Sequence, residues 1–157
     1  MIAYIGIGAN LGDAPAQLDA ALLQLAGLPA TRLLAQSSRY HSAPIDSSGD
    51  DYLNAVASID TSLAPLALLD ALQAIEQAQG RERPYHNAPR TLDLDLLLYG
   101  DCQLDLPALT VPHPRMHQRA FVLLPLLEIA PDASLPGQGP ARQFLAAVAH
   151  QEICRAQ

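Results

Sequence analysis

The run Leu92-Asp93-Leu94-Asp95-Leu96-Leu97-Leu98-Tyr99 constrains this chain more than any other segment. Its strict apolar–acidic alternation has the two-residue period of a β-strand. Leu92, Leu94 and Leu96 then share one face, and Asp93 and Asp95 share the other. A two-residue step along a strand is roughly 6.6 Å, so two carboxylates are aimed into the same space. Two adjacent carboxylates in a leucine-rich strand repel unless a cation lies between them. A pair of divalent cations about 3.5–4 Å apart, carrying a nucleotide, suits that spacing. A short Asp-x-Asp pattern taken alone is more often a solvated strand edge or turn than a metal site, so the neighbouring residues decide its meaning.

The cationic residues are unusual. There is no lysine among the 157 residues, and all nine fixed cations are arginine. That excludes Schiff-base and pyridoxal-phosphate chemistry and a P-loop with its lysine. Phosphate binding would have to use arginine forks, backbone amides and metal. Arg81, Arg83, Arg90, Arg115 and Arg119 flank the two aspartates on both sides. A net charge of −7 argues against a nucleic-acid surface. No apolar run reaches the length of a membrane span. Met1 to Gly8 reads as a first strand and not as a signal peptide. Cys102 and Cys154 have neither metal nor redox spacing. One domain spanning 1–157 and a cytoplasmic location are the expectation.

Along the chain, Met1 to Gly8 leads into Gly6-Ile7-Gly8-Ala9-Asn10-Leu11-Gly12, in which the third glycine falls one place late for a dinucleotide fingerprint. Asp13 caps a helix with Pro15 in its first turn, an inward stripe of Leu18, Leu22 and Leu25, and Gly27 as its stop. Arg32 to Tyr40 is expected as one continuous strand. Tyr52 to Asp60 alternates, with Leu53, Ala55, Ala57 and Ile59 on one face and Tyr52, Asn54, Val56 and Ser58 on the other. Pro65 opens a second helix with Leu68, Leu72 and Ile75 inward, Gly80 at its end, and Gln73 and Glu76 on what reads as its polar side. A last helix is expected from about Pro140, burying Phe144, Leu145 and Val148. Strand, helix, strand, strand, helix, strand is the ferredoxin-like order: an α+β fold with an antiparallel sheet, helices packed on one face and a C-terminal extension.

Tyr52 and Asn54 pair a flat ring with a carboxamide beside the turn Ser42-Ala43-Pro44-Ile45, which suits a flat heterocycle. Each element alone has a plainer reading. Arg81 and Arg83 past a helix end are ordinary solvated surface, Phe121 in an apolar run is ordinary core, and His113 between Pro112 and Pro114 is as readily a turn cap as a phosphate donor.

Taken together these motifs resemble the 6-hydroxymethyl-7,8-dihydropterin pyrophosphokinases of folate biosynthesis. Tyr4-Ile5-Gly6-Ile7-Gly8-Ala9-Asn10-Leu11-Gly12 is similar to the family's opening, Tyr52-Leu53-Asn54-Ala55-Val56 to its pterin-site strand, and His86-x-Ala88-Pro89-Arg90-x-x-Asp93-Leu94-Asp95 to its signature. Thr110-Val111-Pro112-His113 resembles a further family block. The resemblance implies transfer of the β,γ-diphosphate of ATP to the pterin hydroxymethyl group, with two Mg²⁺ ions on Asp93 and Asp95. It implies Arg81, Arg90 and His113 on phosphate oxygens, assisted by Arg83 and Arg119, with Gln73, Glu76 and Thr110 on the nucleotide side. Gly8, Ser42, Ala43, Ile45, Tyr52, Asn54 and Phe121 map to the pterin pocket. It also implies a monomer whose partners are small molecules, and segments 46–51 and 82–89 that close over substrate. The chain departs from the common pattern at Asn87-Ala88, where many members have Trp-Gly, and at Ala108 and Pro114. A catalytically silent ligand-binding module and a metal-dependent phosphohydrolase are the competing readings.

Overall fold

The computed structural model describes residues 1–9, 13–42, 52–79 and 92–156. In chain order these form β1 (Ile2–Ala9), α1 (Ala14–Ala26), β2 (Thr31–Gln36), β3 (Tyr40–Ser42), β4 (Tyr52–Thr61), α2 (Pro65–Ala78) and β5 (Leu92–Tyr99). The short strands β6 (Leu104–Asp105) and β7 (Thr110–Val111) precede α3 (Ala120–Ile129), β8 (Ser134–Leu135), β9 (Gly139–Pro140) and β10 (Ile153–Arg155).

The principal sheet runs β10-β3-β4-β1-β5, with β2 also on β4, and every pairing in it is antiparallel. This is the expected ferredoxin-like arrangement, with β10 added at one edge and β5 forming the other. The expected single strand Arg32–Tyr40 is instead two strands lying end to end along β4. Ser37 bridges the break: its N–H donates to the Val56 carbonyl at 2.9 Å, and its hydroxyl accepts from the Val56 N–H at 3.0 Å. A side-chain oxygen thus replaces one rung of the ladder and lets the chain bend without orphaning Val56.

Helix α1 forms as its sequence dictates. The Asp13 carboxylate accepts from the Ala16 N–H at 3.2 Å, Pro15 stands in the first turn, and Gly27 closes the end. Leu18, Leu22 and Leu25 of α1 and Leu68, Leu72 and Ile75 of α2 are buried against Ile5, Ile7, Ala55, Ala57, Ile59, Leu92, Leu94 and Leu96. Each leucine so buried contributes about 1.5–3 kcal/mol, so packing holds these helices in place.

The helices are not confined to one face. Val122, Leu123 and Leu126 of α3 pack with Val56, Leu97 and Leu98 on the opposite side of the sheet. A register shift between Tyr4 and Ile5 lies where β5 turns both Leu97 and Leu98 towards α3. The expected C-terminal helix from Pro140 is two 3₁₀ turns, Ala141–Phe144 and Ala146–Val148. Ala141 and Val148 are buried, whereas Phe144 and Leu145 are only partly so. Among the described residues no helix is long and apolar enough to cross a membrane.

Candidate active site

The register of the central strands assembles the site on the α3 side of the sheet. Gly8 of β1 is paired with Asn54 of β4 on one side and with Asp93 of β5 on the other. Gly6 is likewise paired with Val56 and Asp95. Directly opposed residues of antiparallel strands project to the same face. Asn54, Gly8 and Asp93 therefore form one row, and Val56, Gly6 and Asp95 the next. Strands lie about 4.8 Å apart, so roughly 10 Å separates the Asn54 and Asp93 backbones, with only a glycine hydrogen between them. The result is a trough with a polar heteroatom wall at Asn54 and a carboxylate wall at Asp93 and Asp95.

Gly8 stands in close approach to the Asn54 wall. A Cβ added to it would lie 3.3 Å from the Asn54 Oδ1 and 3.9 Å from the Tyr52 ring. Asn54 is itself held, since its Nδ2 donates to the buried Ser42 hydroxyl at 2.6 Å. Its Oδ1 is thereby turned towards Gly8, presenting a fixed acceptor to whatever enters the trough. Tyr52 is half-buried beside it.

Asp93 and Asp95 are half-buried on the edge strand. Two backbone groups of β5 are satisfied from outside the sheet. The Leu94 N–H, midway between the aspartates, donates to the Glu76 carboxylate of α2 at 2.8 Å. The Leu97 carbonyl accepts from the His113 N–H at 2.9 Å. Glu76 is therefore not on a solvated polar face: it is 5% exposed and is spent on the strand that carries the carboxylates. Gln73, three residues earlier, is exposed. Thr110 is half-buried on β7 opposite Asp105.

His113 is brought to the same end of β5. Burial pushes its pKa below the ordinary imidazole value; the nearby Asp95 carboxylate opposes that shift, while Arg119 and Arg115 add to it. The neutral ring follows at pH 7. Its Nδ1 accepts from the Arg115 N–H at 3.1 Å, which leaves the proton on Nε2 as a donor. The Arg119 guanidinium stands 5.4 Å from the centroid of the half-buried Phe121 ring.

The described structure thus brings together Asp93, Asp95, His113, Arg119 and Phe121, with Glu76 behind them, and sets Gly8 on the floor and Ser42, Tyr52 and Asn54 on the facing wall. Ala43, Ile45, Arg81, Arg83 and Arg90, and the segments 46–51 and 82–89, lie outside the described residues. Sequence reading passed over Ser37, Glu128 and Gln151. Glu128 accepts from the Tyr40 hydroxyl at 2.6 Å and from the Ser38 N–H and hydroxyl at 2.7 and 2.9 Å, tying α3 to β3. Nothing local signals such a contact, which spans about ninety positions.

Two carboxylates on one face suit a hard cation. Mg²⁺ is commonly held by one or two protein carboxylates, with phosphate oxygens and water completing its octahedron. Among the described residues no group of three His, Cys, Asp or Glu side chains stands ready for a metal. The donor set fits an ion that arrives with a phosphate ligand better than one held in an all-protein cage.

A family model described as 7,8-dihydro-6-hydroxymethylpterin-pyrophosphokinase (HPPK) matches residues 4–131. The chain is 50% identical over 153 residues to a 2-amino-4-hydroxy-6-hydroxymethyldihydropteridine pyrophosphokinase of Pseudomonas aeruginosa, covering 97% of this chain and 94% of that one. A protein of the same name from Haemophilus influenzae is 50% identical over 135 residues, 85% of this chain and 84% of its own. Among solved structures, an HPPK-DHPS crystallised in complex with substrates superposes with a TM-score of 0.74 at 13% identity. That match covers 93% of this chain and spans 43% of the larger one, and it speaks to the fold alone.

Proposed function

Because this chain belongs to the 7,8-dihydro-6-hydroxymethylpterin-pyrophosphokinase family, we propose that it transfers the β,γ-diphosphate of ATP to the hydroxymethyl group of 6-hydroxymethyl-7,8-dihydropterin in folate biosynthesis, releasing AMP. The observation that carries the reading is the glycine-floored trough with Asn54 on one wall and Asp93 and Asp95 on the other. A flat ring held at Asn54 would present its substituent to a triphosphate held at the carboxylates.

The residues divide the work. Asn54, its amide fixed by Ser42, reads the heterocycle's polar edge, and Tyr52 and Phe121 offer faces for stacking. Ser42, Ala43 and Ile45 are assigned to the pterin as well. Arg81, Arg83, Arg90 and Arg119 neutralise the phosphates, and His113 donates from Nε2 to a phosphate oxygen. Gln73, Glu76 and Thr110 lie on the nucleotide side, with Glu76 acting through the Leu94 backbone. Two Mg²⁺ ions held by Asp93 and Asp95 would supply charge neutralisation across the triphosphate and lower the pKa of the attacking alcohol. The pterin hydroxyl oxygen bonds to the β-phosphorus in line with the departing AMP oxygen. The bond from the β-phosphorus to the bridging oxygen breaks, and the hydroxyl proton passes to Asp95. The chain works as one domain and a monomer, in the cytoplasm.

The test is AMP release from ATP and Mg²⁺ with and without the pterin. Pterin-dependent AMP is the expected result. Pterin-independent phosphate release would make the protein a hydrolase, and no nucleotide consumption would make it a binding module. Asp95→Asn should abolish turnover yet leave pterin binding measurable; full activity in that variant would remove Asp95 as the proton acceptor.

A further inference from the structure

The last described residues are bonded both to the turn that bears Arg119 and to the strand beside the Asn54 wall. The Gln151 side-chain amide spans one turn: its Oε1 accepts from the Ala120 N–H at 2.8 Å, and its Nε2 donates to the Gln118 carbonyl at 2.7 Å. Between those two partners stands Arg119, followed two residues later by Phe121. Ala120 opens α3, so its N–H has no acceptor within the helix, and Arg119 as the N-cap supplies no side-chain cap. Gln151 provides that cap from 31 positions away.

Two residues further on the chain enters β10, where Ile153 pairs with Ser42, Cys154 with His41 and Arg155 with Tyr40. The Ala156 N–H then donates to the Arg39 carbonyl at 2.7 Å. One short segment is thus bonded to the turn bearing Arg119 and Phe121 and to the strand whose Ser42 holds Asn54.

We propose that Gln151 is a positioning residue: its amide locks the Arg119–Phe121 turn, and through β10 it sets that turn at a fixed distance from the Ser42–Asn54 wall. The inference rests on the pyrophosphokinase reading for its consequence, though not for its geometry. A neutral amide adds little to the field at the phosphates. Its effect falls instead on where a guanidinium and a ring stand, and reacting groups displaced by about 1 Å can lose roughly a hundredfold in rate.

The test compares the full-length wild type with Gln151→Met, which keeps length and volume but makes neither hydrogen bond, and with Gln151→Glu. The latter keeps the acceptor for the Ala120 N–H at a helix N-terminus, where negative charge is favoured, and loses only the donor. Gln151→Met should lower kcat/KM for the pterin roughly 10- to 100-fold, with a Tm change of only a few degrees, and Gln151→Glu should recover most of the loss. Wild-type kcat and KM in Gln151→Met would overturn the proposal, as would activity losses in both variants that merely track their Tm. Should Gln151→Met fail to fold, Gln151→Ser, whose short side chain reaches neither partner, takes its place and is judged on the same kcat, KM and Tm outcomes. If the wild type itself releases no AMP, the function fails separately. The Arg119 Nε–H resonance then reads the positioning, supporting it if displaced in the folded variant and overturning it if unmoved.

Discussion

Gly8→Ala separates stability from function at the centre of the trough. Gly8 lies in a regular strand and is absent from the positive-φ residues, so alanine is compatible with its backbone. Replacing a strand glycine by alanine ordinarily stabilises by roughly 0.5–1 kcal/mol. Against that gain stands the new methyl, 3.3 Å from the Asn54 Oδ1. Asn54 must give by a few tenths of an ångström, and its 2.6 Å bond to Ser42 resists. Strain and gain are of similar size, so the net stability change should stay within about 1 kcal/mol. Function should not be spared. The methyl rises from the trough floor between Asn54 and Asp93, where the proposed function lays the ring, and lifting the ring by about 1 Å would misalign it with the phosphate by enough to cost roughly 100-fold in kcat/KM. Urea unfolding gives the stability, and initial rates of AMP formation at varied pterin give kcat and KM. A Gly8→Ala protein with unchanged midpoint and unchanged pterin KM would refute the trough as the ring site.

The other expectations are shorter. Glu76→Ala leaves the buried Leu94 N–H without its acceptor and should cost about 1–3 kcal/mol, whereas Glu76→Gln keeps an acceptor and should cost less; equal shifts in urea midpoint would mean that charge, and not the hydrogen bond, matters. Although burial alone would raise the Glu128 pKa, hydrogen bonds from the Tyr40 hydroxyl and from the Ser38 N–H and hydroxyl, with Arg155 nearby, hold it below the usual carboxylate range. Its folded pKa is thus below the unfolded one, so its stabilisation is complete above about pH 4.3 and is lost as pH falls through the folded value. Wild type should therefore lose more stability on acidification than Glu128→Gln, and parallel pH profiles of the two urea midpoints would contradict this. Activity should depend on Mg²⁺ in wild type, and chelation should abolish AMP release while barely moving the Tm, because two carboxylates without phosphate make a weak metal site; a large Tm loss on chelation would indicate a structural ion.

Much of this molecule is legible residue by residue. Asp13, Pro15 and Gly27 mark α1 because caps and stops act within one turn of chain. The alternations at Tyr52–Asp60 and Leu92–Tyr99 mark strands and assign their faces, since side-chain direction is a local property of the backbone. The order of those elements restricts the topology to the observed sheet, and the spacing of Asp93 and Asp95 marks the carboxylate wall. Failures occur where a distant partner decides. Glu76 has a polar residue's sequence signature, yet the Leu94 N–H of β5 draws it into the interior. Pro140 to Val148 carries enough apolar residues for a helix but settles into 3₁₀ turns against α3. The outer-face helix α3 is hydrophobic nearly all round and contains Pro125, so its periodicity names no face; burial against Val56, Leu97 and Leu98 does. Sequence by itself determined α1, α2 and the alternating strands β4 and β5, and which polar side chains share the outer faces of those strands, all set by interactions within a few residues. Tertiary structure alone decided that Gly8 stands between Asn54 and Asp93, and that Gln151 caps the turn at Arg119, because strand register and long-range hydrogen bonds are selected only when the whole core closes.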